Sequence, residues 1–317
     1  MKLISLKLSV TNCFLIKNQT KYILVDTGYE YEWELFCERL KTAGVSISEI
    51  SHIILTHHHD DHTGLLNKIL AENNDIKVVM SYLAKDLLLK GENDQSHGGG
   101  LINKRIKLIM SSPLKQIKIM ITLKKFIDKK RNLKFPPYKA RDKDIIITKE
   151  SRLKEIGIQL NGTILETPGH SIDSISILFD DGDCIVGDAA ANFLQFAGTK
   201  YCVIYICDID EYYKSWDKII SKNAKQIFPA HGKQFIVEKL KENIGKYKKK
   251  DMVMQRYDFE KRKYQVNSEQ RTEDFKVLIN SMIQLKVDNN LKILGGCCGT
   301  NNKHIEELAQ RGNIKEI

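Results

Sequence analysis

Thr56-His57-His58-His59-Asp60-Asp61-His62 is the most informative stretch of this 317-residue chain. Its spacing, His-x-His-x-Asp-His, concentrates side chains that bind metal ions. His57 and His59 can serve one ion, and Asp61 and His62 can serve a second one beside it. The stretch therefore predicts a site for two metal ions, with its ligands on a short loop.

The residues on either side of this stretch support that interpretation. Residues 51–55 form an apolar run typical of a buried strand, and residues 63–70 have the pattern of a helix start. We expect a turn at Asp61-His62 to bring two ligands alongside the other two. A strand, a ligand loop and a helix are the context that a metal site needs.

Three later segments each end an apolar strand with another ligand type. Residues 163–166 lead through a Pro-Gly turn to His170, residues 184–187 lead to Asp188, and residues 227–230 lead to His231. Loops at strand ends, held by a rigid sheet, are where catalytic residues collect. Together, the four segments predict one composite site.

In this order, the motifs resemble the five motifs of the metallo-β-lactamase-fold hydrolases. Residues 12–16 and 23–28 are also similar to the opening hairpin of that superfamily. The resemblance covers residues 1–235 and implies an α/β fold, a four-layer αββα sandwich of two similar halves. We expect this domain to span residues 1–250, with a helical insertion at about 85–140, and a C-terminal extension over 251–317.

The resemblance implies seven metal ligands, which are His57, His59, Asp61, His62, His170, Asp188 and His231. The first two histidines and His170 would hold one ion, Asp61, His62 and His231 would hold the other, and Asp188 would bridge them. Imidazole and carboxylate ligands without cysteine suit zinc, so two Zn²⁺ are expected, with iron or manganese as alternatives.

Two divalent ions about 3.5–4 Å apart lower the pKa of a bridging water and polarise a carbonyl or phosphoryl oxygen. We therefore expect a hydroxide between the ions to attack an ester, thioester or lactone, with a phosphoester less favoured. Asp61 is the expected catalytic residue, which orients this hydroxide and carries its proton. The common two-zinc β-lactamases have a cysteine at the place of Asp188, which disfavours antibiotic hydrolysis.

The composition fits one large globular domain with an appendage. For the metal site we expect a small-molecule substrate. Hydrophobic residues make up 42% of the chain, and no run of about 20 apolar residues predicts a membrane span. The N-terminus has no apolar core of a signal peptide. Seven cysteines, an odd number, favour reduced thiols and a cytoplasmic location. The oligomeric state is left open.

A basic insertion separates the first motif from His170. Residues 100–134 contain eleven Lys or Arg against one acidic residue, a net charge of +10. Apolar residues recur there at helical spacing, at Ile102, Ile106, Ile109, Ile117, Met120 and Ile127. The run Gly98-Gly99-Gly100 would act as a flexible hinge.

Three interpretations of this insertion compete. It can be a packed helical pair with solvated lysines, or a lid whose apolar face and positive charge favour hydrophobic or anionic substrates. It can also contact a membrane surface or nucleic acid. Few aromatic residues accompany the lysines, so we expect no nucleic-acid partner.

The C-terminal part carries a separate signal. Residues 237–263 are rich in Lys and Glu and predict a charged helix, and Gly295-Gly296-Cys297-Cys298-Gly299-Thr300 follows further on. This segment is similar to the last strand and helix of zinc-dependent homocysteine S-methyltransferases. No (β/α)₈ barrel precedes it, so it can be a packing relic, an auxiliary metal or redox site, or a methyl-transfer site.

Three functions from different classes follow. The leading hypothesis is the two-zinc hydrolase. The second is an enzyme of sulfur or methyl metabolism that uses Cys297 and Cys298. The third is a non-catalytic, metal-stabilised binding protein whose basic helices contact an anionic partner.

Overall fold

Two six-stranded sheets form the centre of the structure, a computed structural model that describes residues 3–94, 97–111 and 134–254. In the first sheet, an antiparallel hairpin continues into strands that run parallel. In sheet order its strands are β1 (Leu3–Lys7), β2 (Asn12–Asn18), β3 (Lys21–Val25), β4 (Ile50–Ile54), β5 (Lys77–Ser81) and β7 (Ile145–Ile147).

The second sheet is mostly antiparallel, with one parallel pair between β11 and β13. In sheet order its strands are β14 (Phe235–Ile236), β13 (Gln226–Pro229), β11 (Asp183–Gly187), β10 (Ile175–Phe179), β9 (Gly162–Glu166) and β8 (Ser151–Arg152). The predicted strands before the four motifs are therefore present, each shifted by about one residue.

Alternating side chains along the strands divide the interior into three cores. On β2, Phe14 and Ile16 pack between the two sheets, whereas Cys13 and Leu15 pack on the other face. This alternation follows from the two-residue period of a strand. The outer face of the first sheet packs with Phe36 and other helical residues, and the outer face of the second packs with Trp216.

Helices cover both outer faces, which makes the predicted αββα sandwich correct. The helices are α1 (Trp33–Ala43), α2 (Asp60–Thr63), α3 (Leu66–Glu72), α4 (Ala84–Lys90), α5 (Lys104–Ser111), α6 (Ile209–Ser221) and α7 (Glu238–Lys241). Short 3-10 helices span Glu30–Glu32, Ile47–Glu49, Leu153–Ile156, Gln195–Ala197 and Lys249–Asp251. Among the described residues, no helix has both the length and the apolar character to span a membrane.

A small third sheet holds the start of the basic insertion. β6 (Gly100–Leu101) lies between β12 (Tyr205–Ile206) and β15 (Val253–Met254). Gly100, the last residue of the predicted glycine hinge, is therefore paired on both sides, and the flexibility of the hinge stays a prediction. After β6, Ile102 and Ile106 are buried in the outer core of the second sheet, which confirms the amphipathic pattern in α5. Residues 112–133 of the insertion lie outside the described residues.

The long helix predicted from residue 237 is absent from the described part of that segment. α7 has four residues, and Gly245, with a φ of +72°, follows in the left-handed conformation that ends helices. The chain then forms a 3-10 turn and β15. It divides into two units, Met1–Gln255 and Arg256–Ile317, and the second unit, with Cys297 and Cys298, lies outside the described residues.

Candidate metal centre

The first ligand segment, residues 56–62, leaves the carboxyl end of β4 and turns directly into α2. His59 is extended, with φ −67° and ψ 155°, and its carbonyl accepts from the backbone N–H of His62 at 2.9 Å. The helix thus begins at Asp60, three residues earlier than predicted. Asp61 and His62 lie inside one helical turn rather than in a loop, and acidic residues in a first turn are favoured by the helix dipole.

The other three predicted ligands come from the second sheet. His170 follows β9, Asp188 follows β11, and His231 follows β13. Two backbone hydrogen bonds join the sheets here, from Ile175 to the Thr56 carbonyl at 2.8 Å and from Asn12 to the Ala230 carbonyl at 2.7 Å. The structure therefore brings all seven predicted ligands together at one edge of the sandwich.

Three overlapping groups of side chains have the geometry to hold metal ions. In each group the potential ligand atoms lie within 4.8 Å of one another. The groups are His57, His59 and His170; His57, His62 and Asp188; and Asp61, His62 and His231. The groups overlap at His57 and His62 and therefore form one continuous cluster of potential ligands.

Short distances join the potential ligand atoms, and the division of the ligands between two ions stays a prediction. His59 Nδ1 lies 2.9 Å from His170 Nε2. Asp188 Oδ2 lies 3.3 Å from His170 Nε2, whereas Asp188 Oδ1 lies 3.2 Å from His231 Nε2. Asp61 Oδ2 is also 3.2 Å from His231 Nε2. The two oxygens of Asp188 thus face histidines from different groups.

The donor set also passes a test of fit for a cation. Five buried side-chain polar atoms in the described part of the chain make no hydrogen bond, and three of them point into this centre. These three are His57 Nε2, His62 Nε2 and Asp188 Oδ1. Because an unsatisfied buried polar atom is costly, such a cluster fits atoms that are arranged to bind an ion.

Hydrogen bonds from Nδ1 to groups outside the cluster of ligands fix the orientation of three histidine rings. Through Nδ1, His62 donates to Asp26 at 2.8 Å, His170 donates to the Tyr205 carbonyl at 2.9 Å, and His231 donates to the Val10 carbonyl at 2.9 Å. These hydrogen bonds hold each ring so that its Nε2 faces the centre. Hydrogen bonds of this kind orient metal ligands in proteins generally.

Electrostatics divide the histidines into two sets. Burial lowers the pKa of His57, His59 and His170, so these rings are neutral near pH 7. Burial also opposes the charged form of His62, but the carboxylates of Asp61, Asp26 and Asp188 outweigh this effect and raise its pKa to about 9.

Burial and nearby carboxylates also act in opposite directions on the pKa of His231, and the carboxylates again have the larger effect. Burial lowers its pKa, but Asp188 and Asp61 raise it well above the ordinary value. Burial raises the pKa of Asp188, but His231 and His170 outweigh it, and the net direction is down. Without an ion, protonated histidines therefore balance the carboxylates on this side of the centre.

The centre opens to solvent on one side. The side chains of Asp61 and His231 are 13% and 17% exposed, whereas His62 is fully buried and His170 is 6% exposed. Among these ligands, solvent therefore reaches Asp61 and His231 most readily.

Several supporting residues could not be identified from the sequence. His58 Nδ1 donates to Asp173 at 2.8 Å, and its Nε2 accepts from the backbone N–H of Asp94 at 2.9 Å. Asp60 exchanges two hydrogen bonds with the side chain of Asn93. The only available signal was that His58 and Asp60 occupy the variable positions of the first motif.

The comparison with protein-family models gives the class. The model described as "Metallo-beta-lactamase superfamily" matches residues 6–231, which is more than half of the chain. The chain therefore belongs to the metallo-β-lactamase superfamily, as the motifs predicted. A second model, "Homocysteine S-methyltransferase", matches residues 210–311, which cover less than half of the chain.

Curated relatives match over most of this chain but only part of their own length. The "Beta-lactamase-like protein 2 homolog" of Caenorhabditis elegans is 25% identical over 248 residues, 75% of this chain and 60% of the relative. The protein of the same name from Drosophila melanogaster is 26% identical over 251 residues, 76% of this chain and 63% of the relative. The chain thus spans less than two thirds of the length of these relatives.

Solved structures show similarity at lower identity. The subclass B3 metallo-β-lactamase BJP-1 of Bradyrhizobium japonicum is 18% identical, with a TM-score of 0.48, over 72% of this chain and 74% of that chain. An archaeal metallo-β-lactamase superfamily protein from Sulfolobus tokodaii is 18% identical, with a TM-score of 0.44. The match covers 77% of this chain and 85% of that chain. At these values the likeness carries no conclusion about activity.

Proposed function

We propose that this protein is a hydrolase that holds two zinc ions with the seven ligands and cleaves an ester, thioester or lactone of a small-molecule substrate. The position of Asp188 carries this proposal. Its two oxygens face histidines from different groups, at 3.3 Å and 3.2 Å, which suits a carboxylate shared between two ions. A site for one structural ion has no need of such a carboxylate.

Two bound ions would supply an activated water near neutral pH and a Lewis acid for the carbonyl oxygen of the substrate. The residues of the chain would set the geometry for both. His57 and His62 are buried and fixed, so they hold their nitrogens in place without rearrangement.

Asp61 is the residue proposed to handle a proton. It lies at the open side of the centre, and one of its oxygens, Oδ2, accepts from the Thr11 hydroxyl at 3.3 Å. A carboxylate that is oriented by such a hydrogen bond and accessible to the substrate can orient a water molecule and accept its proton. Thr11 would therefore act as a positioning residue.

The second hypothesis, sulfur or methyl metabolism, is supported by the similarity of residues 210–311 to homocysteine S-methyltransferases. The proposed hydrolase uses neither Cys297 nor Cys298, so it leaves the role of this cysteine pair unexplained, and the second hypothesis remains an alternative. The two can be separated by the double substitution Cys297→Ser and Cys298→Ser, which the hydrolase tolerates without loss of turnover.

The test begins with metal analysis of the protein after chelation and reconstitution with zinc. We expect about two zinc ions per chain and zinc-dependent hydrolysis in a screen of esters, thioesters and lactones. Asp188→Ala should retain at most one ion and lose at least about 100-fold in kcat, because a metal-bridging ligand is removed.

The matched control is Asp217→Ala, which removes an exposed carboxylate of α6 and should change neither quantity. Full metal content together with full turnover in Asp188→Ala would refute the shared-carboxylate assignment. No hydrolysis of any of these substrates by the fully loaded protein would refute the proposed function.

A further inference from the structure

The segment after Asp188 borders the open side of the centre. The backbone N–H of Asn192 donates to the His231 carbonyl at 2.9 Å, which ties this segment to a predicted ligand. The ring of Phe193 then lies beside His231, with 6.5 Å between the ring centroids. Since the side chain of His231 is more exposed than those of Asp61, Asp188 and His170, Phe193 stands at the entrance to the centre.

Two aromatic rings in this segment are unusually exposed. Phe193 is 40% exposed and Phe196 is 75% exposed, the highest value among the large apolar side chains of the described residues. Single exposed apolar residues need no explanation, but here two exposed aromatic rings lie three residues apart on one short loop beside a candidate active site. We call residues 192–198 the aromatic loop.

The aromatic loop exposes these rings although its backbone is well fixed. The hydroxyl of Thr199 donates to the Phe193 carbonyl at 2.7 Å, and the amide of Asn103 donates to the Ala197 carbonyl at 3.2 Å. Leu194 has a φ of +52°, a strained value for a residue other than glycine. Strain that is held in place by surrounding contacts is characteristic of functional sites.

We propose that the aromatic loop binds the apolar acyl chain of the substrate, an inference that rests on the proposed hydrolase function. The acyl chain, like the leaving group, is bonded to the carbon that is attacked, so its first carbons must lie close to the ligands; an acyl chain that is apolar suits the aromatic rings. Phe193 is within that reach, and Phe196 extends the apolar surface outward. The loop selects medium-chain or aromatic acyl esters and thioesters over acetyl ones.

The charged groups nearest in sequence do not oppose this assignment. The ammonium of Lys200 lies over the ring of Tyr247, 5.1 Å from its centroid, and is thereby held by another partner. Ala189, Ala190 and Ala191, which connect Asp188 to the loop, are buried and apolar. An apolar chain would therefore meet aromatic rings on the loop without displacing an ion pair of these residues.

The experiment compares p-nitrophenyl esters from acetyl to decanoyl with the zinc-loaded protein. We expect kcat/KM to rise with chain length, with about fourfold per methylene as the upper limit for full burial. Phe193→Ala and Phe196→Ala should flatten this rise, so that the ratio of kcat/KM for the decanoyl ester to kcat/KM for the acetyl ester falls at least about tenfold.

Ile236→Ala is the matched control. Ile236 is 51% exposed, but it pairs with Gln226 at the start of β13, whereas His231 follows the other end of that strand. This variant removes an exposed apolar side chain away from the entrance and should keep the full dependence on chain length. A flattened rise in Ile236→Ala as well would overturn the assignment to the aromatic loop.

A binding measurement separates this inference from the proposed function. Calorimetry with 2-butanone and 2-dodecanone, which cannot be hydrolysed, should show tighter binding of the long ketone, and the two Phe variants should remove the difference. If that holds while no ester is cleaved, the hydrolase is refuted and the apolar site stands.

Two outcomes would refute the apolar site. If esters are cleaved and the Phe variants keep the wild-type dependence on chain length, the hydrolase stands and the aromatic loop does not bind the acyl chain. If the same variants instead convert an oligomer into monomers in light scattering, with the chain-length dependence intact, the rings form a protein interface.

Discussion

Asp26 accepts a 2.8 Å hydrogen bond from Nδ1 of His62, although the two residues lie 36 positions apart in the chain. The same carboxylate accepts from the backbone N–H and from the hydroxyl of Thr56, both at 2.8 Å. It thus holds both ends of the first ligand segment. Asp26 has a φ of +59°, so the backbone itself is strained at this position.

Asp26→Asn should weaken zinc binding by about 10- to 100-fold, the usual effect of removing a carboxylate that orients a histidine ligand. The reason is that an amide accepts a weaker hydrogen bond than a carboxylate. Competition with a chromogenic chelator measures the affinity. Asp75→Asn makes the same charge change at an exposed position and should have no effect. Equal affinities in the two variants would contradict the role of Asp26.

His58 should contribute to stability through Asp173. Both side chains are buried, and His58→Ala leaves the Asp173 carboxylate without its 2.8 Å partner. We expect a loss of about 3 kcal/mol in the free energy of unfolding, measured by urea denaturation. The double variant His58→Ala/Asp173→Ala should lose less than the sum of the single variants, because the unpaired charge is gone. Strict additivity would show that the pair is not coupled.

Gly187→Ala should damage both stability and the metal centre. At its φ of +51°, an added Cβ would lie 2.5 Å from Thr56 Oγ1, the atom that donates to Asp26. We expect a loss of about 2–4 kcal/mol from strain and overlap together, and weaker zinc binding. Gly44→Ala is the control, since Gly44 has a φ of +70° and nothing within 4 Å of the added Cβ. Gly44→Ala should lose about 1 kcal/mol of unfolding free energy and bind zinc normally. If Gly187→Ala and Gly44→Ala lost the same stability, backbone strain alone would explain the loss and the overlap with Thr56 would contribute nothing.

Asp144 should make the fold sensitive to acid. Burial raises the pKa of this carboxyl, but hydrogen bonds from Arg141 and Tyr138 outweigh it and lower the pKa below its ordinary value. A depressed pKa means that the unfolded chain binds the proton more readily. The stabilisation is therefore present above about pH 4 and is lost as the pH falls through the folded-state pKa.

Urea denaturation at pH 7 and near pH 3 tests this expectation. Asp144→Asn should cost about 2 kcal/mol at pH 7 and less near pH 3, because the carboxyl of the unfolded chain is then largely protonated and the depressed pKa stabilises the fold less. Asp142→Asn, at an exposed neighbouring position, is the control with no expected loss at either pH. A cost for Asp144→Asn that is the same at both pH values would contradict the assignment.

The sandwich was predicted from the resemblance of the motifs to a known fold, and the meeting of the side chains was predicted because short motifs mark strand ends, a local property. The sequence missed partners that depend on contacts between distant segments. His231 donates to the Val10 carbonyl 221 residues away, and nothing in the spacing of either residue indicates the other. The helix predicted from residue 237 failed for a local reason, because charge composition alone does not outweigh a break at Gly245. The role of the aromatic loop depends on exposure, which only a folded chain has.

The contacts of α6 have a practical consequence. The indole N–H of Trp216 donates to the Ala189 carbonyl at 2.6 Å, one residue from Asp188, and the hydroxyl of Tyr212 donates to the Asp188 carbonyl at 3.1 Å. The chain has only one other tryptophan, Trp33 on α1. In a Trp33→Phe background, the fluorescence emission of Trp216 should therefore report zinc binding at the Asp188 segment without an added dye or label.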